Sequence, residues 1–220
     1  MRKIIILGVH NSGSTLLAGM MHYLRINFGL APDEGRYGLS YETHDIQRAI
    51  RDCVQFGKPI DWVGVEECKE RLSFAVNDFF RKWMPLDSAL KHPYLCAGLT
   101  VVDDDVLGKL TFIDCSRPLR DSINGAIRAY PRRSEHMAEY QTNLHEGKQR
   151  ILDRAKGLGC TVYDWNYNDI TPSNCSDVVD RLQQFLDTRA KPEYVEKAIS
   201  LFDESQRHFV GRIQEQGDRR

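Results

Sequence analysis

The chain has 220 residues, of which 41% are hydrophobic and 28% are charged, a composition typical of a folded globular protein rather than a disordered one. Its 30 Lys and Arg residues nearly balance its 31 Asp and Glu residues, so the formal net charge is −1. This balance argues against a protein that binds nucleic acid through a general excess of positive charge, but it is compatible with a local anion site. We expect a single domain over residues 1–220.

Four short segments have the composition of β-strands. Three of them, Lys3–Val9, Leu110–Cys115 and Cys160–Trp165, are apolar on both faces or nearly so, as expected for strands covered by helices on both sides. A weaker candidate is Ser88–Lys91, which Pro93 ends. Because the strands alternate with helical patterns along the chain, we predict an α/β fold with a central parallel sheet flanked by helices.

The spacing of apolar residues predicts helices between and after these strands. The predicted helices are Thr15–Phe28, Asp45–Phe56, Glu66–Trp83, Asp121–Tyr130, Glu135–Leu158, one with Ser176 as its N-cap, and Pro192–Phe209. In the long polar helix Glu135–Leu158, Gly147 is the candidate for a break. Tyr163, Trp165 and Tyr167 cluster around the end of the last strand, and we expect such aromatic side chains to pack in the core.

The cysteines and the N-terminus bear on the compartment. The six cysteines are at positions 53, 68, 96, 115, 160 and 175, with no CxxC pair and no histidine at metal-ligand spacing. Neither a zinc site nor a thioredoxin-like motif is therefore indicated. The apolar run Ile4–Leu7 is too short for a secretory signal, and no later run approaches the roughly 18 apolar residues of a membrane helix. We expect a cytoplasmic protein with reduced thiols, no metal and no membrane insertion.

The most informative segment begins with the first predicted strand. That strand enters a loop bounded by Gly8 and Gly13 and passes directly into an amphipathic helix. The glycines allow a tight turn whose N–H groups point into one concavity, and the helix N-terminus adds unpaired N–H groups and a partial positive charge. Ser12, Ser14 and Thr15 are expected to add hydroxyl donors. The segment predicts a site for a phosphate or a sulfate ester.

The same segment differs in one residue from the phosphate loop G-x-x-x-x-G-K-[ST]. Gly8, Gly13 and Thr15 fit the spacing, but Ser14 replaces the lysine that contacts the terminal phosphates of a nucleoside triphosphate. This replacement argues against ATP or GTP as the ligand. Asp114 comes nearest to the Mg²⁺-binding aspartate that a nucleotide kinase would need. A β–α turn without any ligand is the alternative interpretation.

Residues His10–Leu17, with the sequence HNSGSTLL, resemble the 5′-phosphosulfate loop of sulfotransferases, [PH]-[RK]-S-G-[TS]-[TS]-L-L, and most of all the bacterial carbohydrate type. Weaker similarities follow in the family's order. Tyr41–Ile46 is similar to an E-x-x-x-I segment, and Lys91–Cys96 to the K-D-P-R turn. Ile113–Ile123 resembles the 3′-phosphate segment x-x-R-P-L-x-x-S, and Val162–Asp164 resembles V-x-Y-E.

The resemblance implies a metal-free enzyme with a P-loop nucleotide-binding fold. Its reaction would transfer a sulfonate group from 3′-phosphoadenosine 5′-phosphosulfate (PAPS) to a hydroxyl of a carbohydrate or small metabolite. The PAPS-binding residues that it implies are His10, Asn11, Ser12, Gly13, Ser14, Thr15 and Leu16 in the loop, Arg117 at the 3′-phosphate, and Ser122 and Asn124 close by. The catalytic residues that it implies are Glu42 as the base, with His44 and His92 as alternatives, and Lys91. Residues 29–90 are the region expected to bind the acceptor.

Two positions depart from the family's pattern. Asn11 stands where the family has Arg or Lys, whose charge bridges the leaving phosphate and the transferring sulfonate. Lys91, His10 and Arg120 are candidates to supply that charge instead. Gly125 stands where a serine that binds the 3′-phosphate is expected. These departures keep open a degenerate member that binds an adenosine phosphate without catalysis, and a P-loop nucleotide kinase is a further alternative.

Overall fold

The computed structural model describes residues 1–29, 34–35, 38–39, 41–42, 46, 48–49, 65–131 and 134–202. Its strands are β1 (Lys3–Leu7), β2 (Glu34–Gly35), β3 (Gly38–Leu39), β4 (Ser88–Lys91), β5 (Thr111–Ser116) and β6 (Val162–Asn166). Four of them form a sheet in the order β4-β1-β5-β6, and every neighbouring pair in it is parallel. The predicted α/β class with a central parallel sheet is therefore confirmed.

The helices lie between and after these strands. They are α1 (Ser14–Tyr23), α2 (Val65–Lys82), α3 (Leu95–Gly98), α4 (Asp104–Leu107), α5 (Leu119–Ala129), α6 (Ser134–Gly157), α7 (Cys175–Leu186) and α8 (residues 192–202). Most of the predicted helix Asp45–Phe56, and the predicted end of the last helix at Phe209, lie outside the described residues. Within the described ranges, the helices are all too short or too polar to cross a lipid bilayer.

The first helix is shorter than its apolar pattern predicts. α1 ends at Tyr23 instead of continuing to Phe28. Arg25 has a left-handed backbone with φ 70°, which a right-handed helix cannot contain. The chain is then extended, and Asn27 makes a parallel bridge to Ser88 beside β4. Ile26 and Phe28, which fall within the predicted helix, are buried on this extended segment instead.

Two other helix predictions also need correction. α6 runs without interruption through Gly147, where a break was expected. α7 begins two residues earlier than predicted, with Asn174 rather than Ser176 at the N-cap position. The Asn174 side chain accepts a hydrogen bond from the Thr171 N–H (2.8 Å) and donates one to the Asp169 carbonyl (2.8 Å). Asn174 thus stabilises the preceding turn rather than the first turn of the helix.

The central strand β1 joins two hydrophobic cores. Ile5 and Leu7 belong to a core that includes α2, α3 and α6. Ile4 and Ile6 belong to the core on the opposite face, with α1, α7 and α8. All four side chains are fully buried, and each such burial contributes roughly 1.5–3 kcal/mol to stability. This two-sided burial explains why β1 has no polar face.

The chain connections that leave the neighbouring strands β1 and β5 run in opposite directions, toward β4 and toward β6. The helix that follows β1 packs on one face of the sheet, and the long helix that follows β5 packs on the other. In an open parallel sheet, this divergence leaves a crevice outside the carboxyl ends of the two strands, and ligands bind there. The fold therefore indicates the edge beyond Leu7 and Ser116 as the place to look for a site.

Gly147 allows α6 to pass close to α3. A Cβ atom at Gly147 would overlap the Cys96 carbonyl oxygen and would lie 3.4 Å from Cα of Ala97. Since these atoms belong to backbone, they cannot move aside as the end of a flexible side chain would. A side chain at position 147 would push the two helices apart.

We expect Gly147→Ala to lower the free energy of unfolding by about 1–3 kcal/mol, because the added methyl group overpacks this crossing. The matched control is Gly157→Ala in the same helix, where a Cβ would have no neighbouring atom within 4 Å. That substitution should be neutral or slightly stabilising, because alanine favours the helix. Urea denaturation measures both, and equal effects would contradict the close crossing.

Candidate functional site

The loop from Gly8 to Thr15 leads from β1 to the N-terminus of α1. Its turn is closed by the Ser12 N–H, which donates to the Val9 carbonyl (3.2 Å). Gly13 is the N-cap of α1 and has φ 91°, a left-handed conformation that glycine adopts without strain. The first hydrogen bond of the helix joins the Leu17 N–H to the Gly13 carbonyl. The N–H groups that precede it are those of Ser14, Thr15 and Leu16, and amides in this position are donors for an anion.

The three predicted hydroxyl donors of this loop differ in where they point. Ser12 is buried, and its Oγ donates to Sγ of Cys115 (3.8 Å). Ser14 is buried as well, whereas Thr15 is exposed. Oγ1 of Thr15 accepts a hydrogen bond from Nζ of Lys91 (3.1 Å). Burial raises the pKa of Cys115 to about 12, so its thiol is protonated at neutral pH and is a poor nucleophile.

Lys91 links the loop to the predicted catalytic base. It is the last residue of β4, and its Nζ lies 2.7 Å from Oε1 of Glu42. The other carboxylate oxygen of Glu42 lies 3.6 Å from Nε2 of His92. The side chains of Lys91 and His92 are 4% and 2% exposed, while that of Glu42 is 23% exposed. Of the three candidates for the base, His44 lies outside the described residues.

The orientation of His92 is set by a backbone hydrogen bond. The Tyr94 N–H donates to Nδ1 of His92 (3.1 Å), so this nitrogen is the acceptor. A neutral imidazole that accepts at Nδ1 carries its proton on Nε2, the nitrogen that faces Glu42. His92 in this form faces Glu42 with an N–H group rather than a lone pair, at a distance of 3.6 Å that is too long for a hydrogen bond.

Arg117 approaches the loop from the other side of β1. It directly follows β5, and its Nη1 donates to the Asn11 carbonyl (3.4 Å). Its guanidinium carbon lies 5.0 Å from the centroid of the Tyr167 ring, a cation–π distance. Nε of Arg117 is buried and has no hydrogen-bond partner within the described ranges. Arg117 is therefore held beside the loop by a hydrogen bond and a ring contact, with its Nε covered by protein.

The two positions that depart from the sulfotransferase pattern lie against each other. Asn11 has φ 60°, a left-handed conformation that asparagine adopts more readily than Arg or Lys. A Cβ atom at Gly125 would lie 3.1 Å from Cβ and 3.2 Å from Cγ of Asn11. Helix α5 approaches the loop this closely because position 125 has no side chain. The two departures from the family's pattern are thus coupled, because the absence of a side chain at Gly125 makes room for the Asn11 side chain.

The remaining candidates on α5 differ in their access to solvent. Ser122 is fully buried, and its Oγ has no hydrogen-bond partner in the part of the chain that the structure describes. Asn124 and Arg120 are exposed. A ligand at the surface of the loop could reach Asn124 without any rearrangement, whereas Ser122 would have to be uncovered first.

Packing against neighbouring residues surrounds the side chains of His10 and Leu16. His10 lies among three tyrosine rings whose centroids are 5.6–5.9 Å away: Tyr94, Tyr130 and Tyr140. Leu16 belongs to the core beneath α1, so it can contribute only its backbone N–H to a ligand. Among the three candidates to replace the charge missing at Asn11, Lys91 is the one that touches the first turn of α1.

A buried ion pair behind the loop was not predicted from the sequence. Nζ of Lys148 on α6 lies 2.6 Å from Oδ1 of Asp114 on β5, and the Lys148 side chain is only 2% exposed. Two turns away on the same helix, Nε2 of Gln141 donates to the His10 carbonyl (3.0 Å). Burial, with the charge of Lys148 as a smaller cause, lowers the pKa of His145. The sequence does contain a signal for these contacts, since Gln141 and Lys148 are polar residues on the otherwise apolar stripe of α6.

Comparison of the chain with family models, with curated proteins and with solved structures found no match in any of the three. Across the described residues, no group of three or more His, Cys, Asp or Glu side chains could hold a metal ion. Fold and site together define an α/β protein whose loop at the carboxyl edge of β1 is flanked by a cation from each neighbouring strand.

We expect Lys148→Met to lower the free energy of unfolding by about 3 kcal/mol, because it leaves the Asp114 carboxylate mostly buried without its partner. The double variant Asp114→Asn with Lys148→Met should recover part of this loss, since no unpaired charge remains. Lys156→Met, on the exposed side of the same helix, is the control and should change stability by less than about 0.5 kcal/mol. Chemical denaturation tests this, and a double variant no more stable than the single one would contradict the role of the pair.

Proposed function

We propose that this chain is a sulfotransferase of the P-loop type that transfers a sulfonate group from PAPS to a hydroxyl of a carbohydrate or small metabolite. The observation that carries the proposal is the position of two cations on opposite sides of one anion-binding loop. Lys91 contacts the loop at Thr15 from β4, and Arg117 contacts it at Asn11 from β5. A ligand that fits this arrangement has two separate anionic groups, as PAPS has in its phosphosulfate and its 3′-phosphate.

The phosphosulfate is assigned to the N-terminus of α1. Its oxygens would accept hydrogen bonds from the backbone N–H groups of the loop and of the first turn of the helix. The loop itself has no lysine or arginine, because Asn11 and Ser14 stand where other anion-binding loops have these residues. Lys91 would supply that charge, since its ammonium already lies 3.1 Å from Oγ1 of Thr15. Charge that develops on the leaving phosphate would then be stabilised from β4.

Glu42 is the proposed base. In the reaction, the acceptor oxygen forms a bond to sulfur while the bond from sulfur to the 5′-phosphate oxygen breaks. The acceptor proton passes to the Glu42 carboxylate, and the products are a sulfate ester and 3′-phosphoadenosine 5′-phosphate (PAP). Before donor binding, Lys91 is paired with Glu42 at 2.7 Å. When Lys91 turns toward the phosphosulfate, Oε1 of Glu42 is released to accept the acceptor's hydrogen bond.

The nucleotide kinase alternative has less support. The aspartate nearest to a Mg²⁺ ligand in the sequence, Asp114, is paired with Lys148 at 2.6 Å. Binding a metal there would leave the Lys148 ammonium buried without its counter-ion, which is costly. A protein that binds an adenosine phosphate without catalysis shares the binding site of the first proposal, and turnover assays separate the two.

Ligand binding provides the first test of the proposal. We expect PAP to raise the thermal midpoint of the chain more than AMP or ATP–Mg²⁺ does, because only PAP presents a 3′-phosphate to Arg117. Arg117→Ala should weaken PAP binding by about 1–3 kcal/mol through the loss of a charge-assisted hydrogen bond. Arg150→Ala, on an exposed part of α6, is the control with the same charge change. Preferential stabilisation by ATP–Mg²⁺ would overturn the assignment.

Turnover provides the second test. With PAPS and a panel of hydroxylated acceptors, Glu42→Gln should lower turnover by about 10²–10⁴-fold, the range expected for loss of general base catalysis. Lys91→Met should lower it by about 10²–10³-fold through lost charge stabilisation. The dissociation constant for PAP should change little in Glu42→Gln, and the exposed-site control Glu139→Gln should match the parent in both measurements. A parent chain that binds PAP but sulfonates no acceptor would support the non-catalytic alternative.

A further inference from the structure

Tyr167 contacts both the Gly8–Thr15 loop and the arginine beside it. It lies directly after β6, in a single 3₁₀ turn over residues 167–169. A Cβ atom at Gly13 would lie 2.9 Å from Cγ and 3.0 Å from Cβ of Tyr167, so the tyrosine packs directly on the Gly13 backbone. The same ring carries the Arg117 guanidinium at 5.0 Å from its centroid.

The position of Tyr167 is fixed by the turn that contains it. Oδ1 of Asn166 accepts a hydrogen bond from the Asn168 N–H (3.1 Å), and Nδ2 of Asn166 donates to Oδ1 of Asp169 (3.0 Å). On the strand before this turn, Asn166 pairs with Ser116 of β5, the residue that precedes Arg117. Arg117 and Tyr167 therefore directly follow two adjacent strands, β5 and β6. Their guanidinium and ring lie next to each other at the same edge of the sheet.

We infer that Tyr167 is a positioning residue that holds the Arg117 guanidinium over the loop for the second anionic group of the ligand. This inference rests on the proposed function, in which that group is the 3′-phosphate of PAPS. A free arginine side chain samples many rotamers and loses that freedom on binding an anion. An aromatic face that holds the planar guanidinium before binding reduces the loss. Nε of Arg117 is buried, so the guanidinium is covered on that edge although the residue as a whole is partly exposed.

A purely structural role for Tyr167 predicts a different pattern of binding. If the ring only supports Gly13, its removal disturbs the loop and weakens every ligand that the loop binds. If the ring positions Arg117, its removal weakens only ligands that carry the second anionic group. PAP and AMP differ by that one group and therefore separate the two roles.

The experiment measures dissociation constants of PAP and AMP by calorimetry for the parent chain, Tyr167→Phe, Tyr167→Leu, Arg117→Ala and the Tyr167→Leu/Arg117→Ala double variant. Tyr167→Phe retains the ring and should bind PAP like the parent. Tyr167→Leu should weaken PAP about fivefold, the effect of losing a moderately exposed cation–π contact, and leave AMP within about twofold. In the Arg117→Ala background, Tyr167→Leu should have no further effect on PAP.

Arg117→Lys is a second route to the same answer that leaves Tyr167 and the loop in place. Lysine keeps the charge but lacks the planar group that stacks on a ring, so this variant should also weaken PAP and not AMP. Equal weakening of PAP and AMP by Tyr167→Leu would overturn the positioning role, as would a full effect of Tyr167→Leu in the Arg117→Ala background. A parent chain that binds PAP and AMP equally would overturn the proposed function and this inference with it. A parent that prefers PAP, with that preference intact in Tyr167→Leu and Arg117→Lys, would overturn the inference alone.

Discussion

The two-sided burial of β1 is the constraint on which the rest of the structure depends. The strand has a neighbouring strand on each side and a hydrophobic core on each face, so none of the positions from Ile4 to Leu7 can be polar. After Lys3, the chain therefore reaches polar residues again only beyond the carboxyl end of the strand, in the crevice that the diverging helices leave open. The parallel register pairs Ile6 with Lys91 and Leu7 with Asp114. The ends of β4 and β5 consequently deliver their charged residues to the same edge as the loop.

In the proposed function, this arrangement separates the two tasks of anion binding, which are the donation of hydrogen bonds and the supply of positive charge. The backbone of the loop and the first turn of α1 offer hydrogen-bond donors, and the neighbouring strands offer the charge. Lys91 serves the Thr15 side and Arg117 the Asn11 side, while Asn11 itself adopts a left-handed conformation that suits its side chain better than a longer basic one. The formal net charge of −1 says nothing about such a site, because two well-placed cations are enough to define it.

The sequence predicted best those features that depend on burial and local chain geometry. Strands buried on both faces leave an unmistakable apolar pattern, and the glycine-bounded loop was located from spacing alone. The failures share a different cause, which is contact between residues far apart in the chain. Gly147 marks a close helix crossing rather than a break. Tyr167 packs against the core as expected, but its contact with Gly13 of the loop was not predicted. Lys148 was missed because the residue it pairs with, Asp114, is on another element. Ser12 looked like a ligand donor, but its hydroxyl turns inward to β5.

The length and contacts of α6 have a mechanical consequence. Its 24 residues extend about 36 Å, and it touches α3 most closely near its middle, at Gly147. Toward one end, Gln141 holds the His10 carbonyl of the loop, and toward the other, Arg154 donates to the Thr100 and Val102 carbonyls (2.8 and 3.0 Å). One helix therefore holds the carbonyl groups of two separate turns, the loop at His10 and the turn after α3. A substitution that displaces α6 at Gly147 would disturb both turns together, although they are far apart in the sequence.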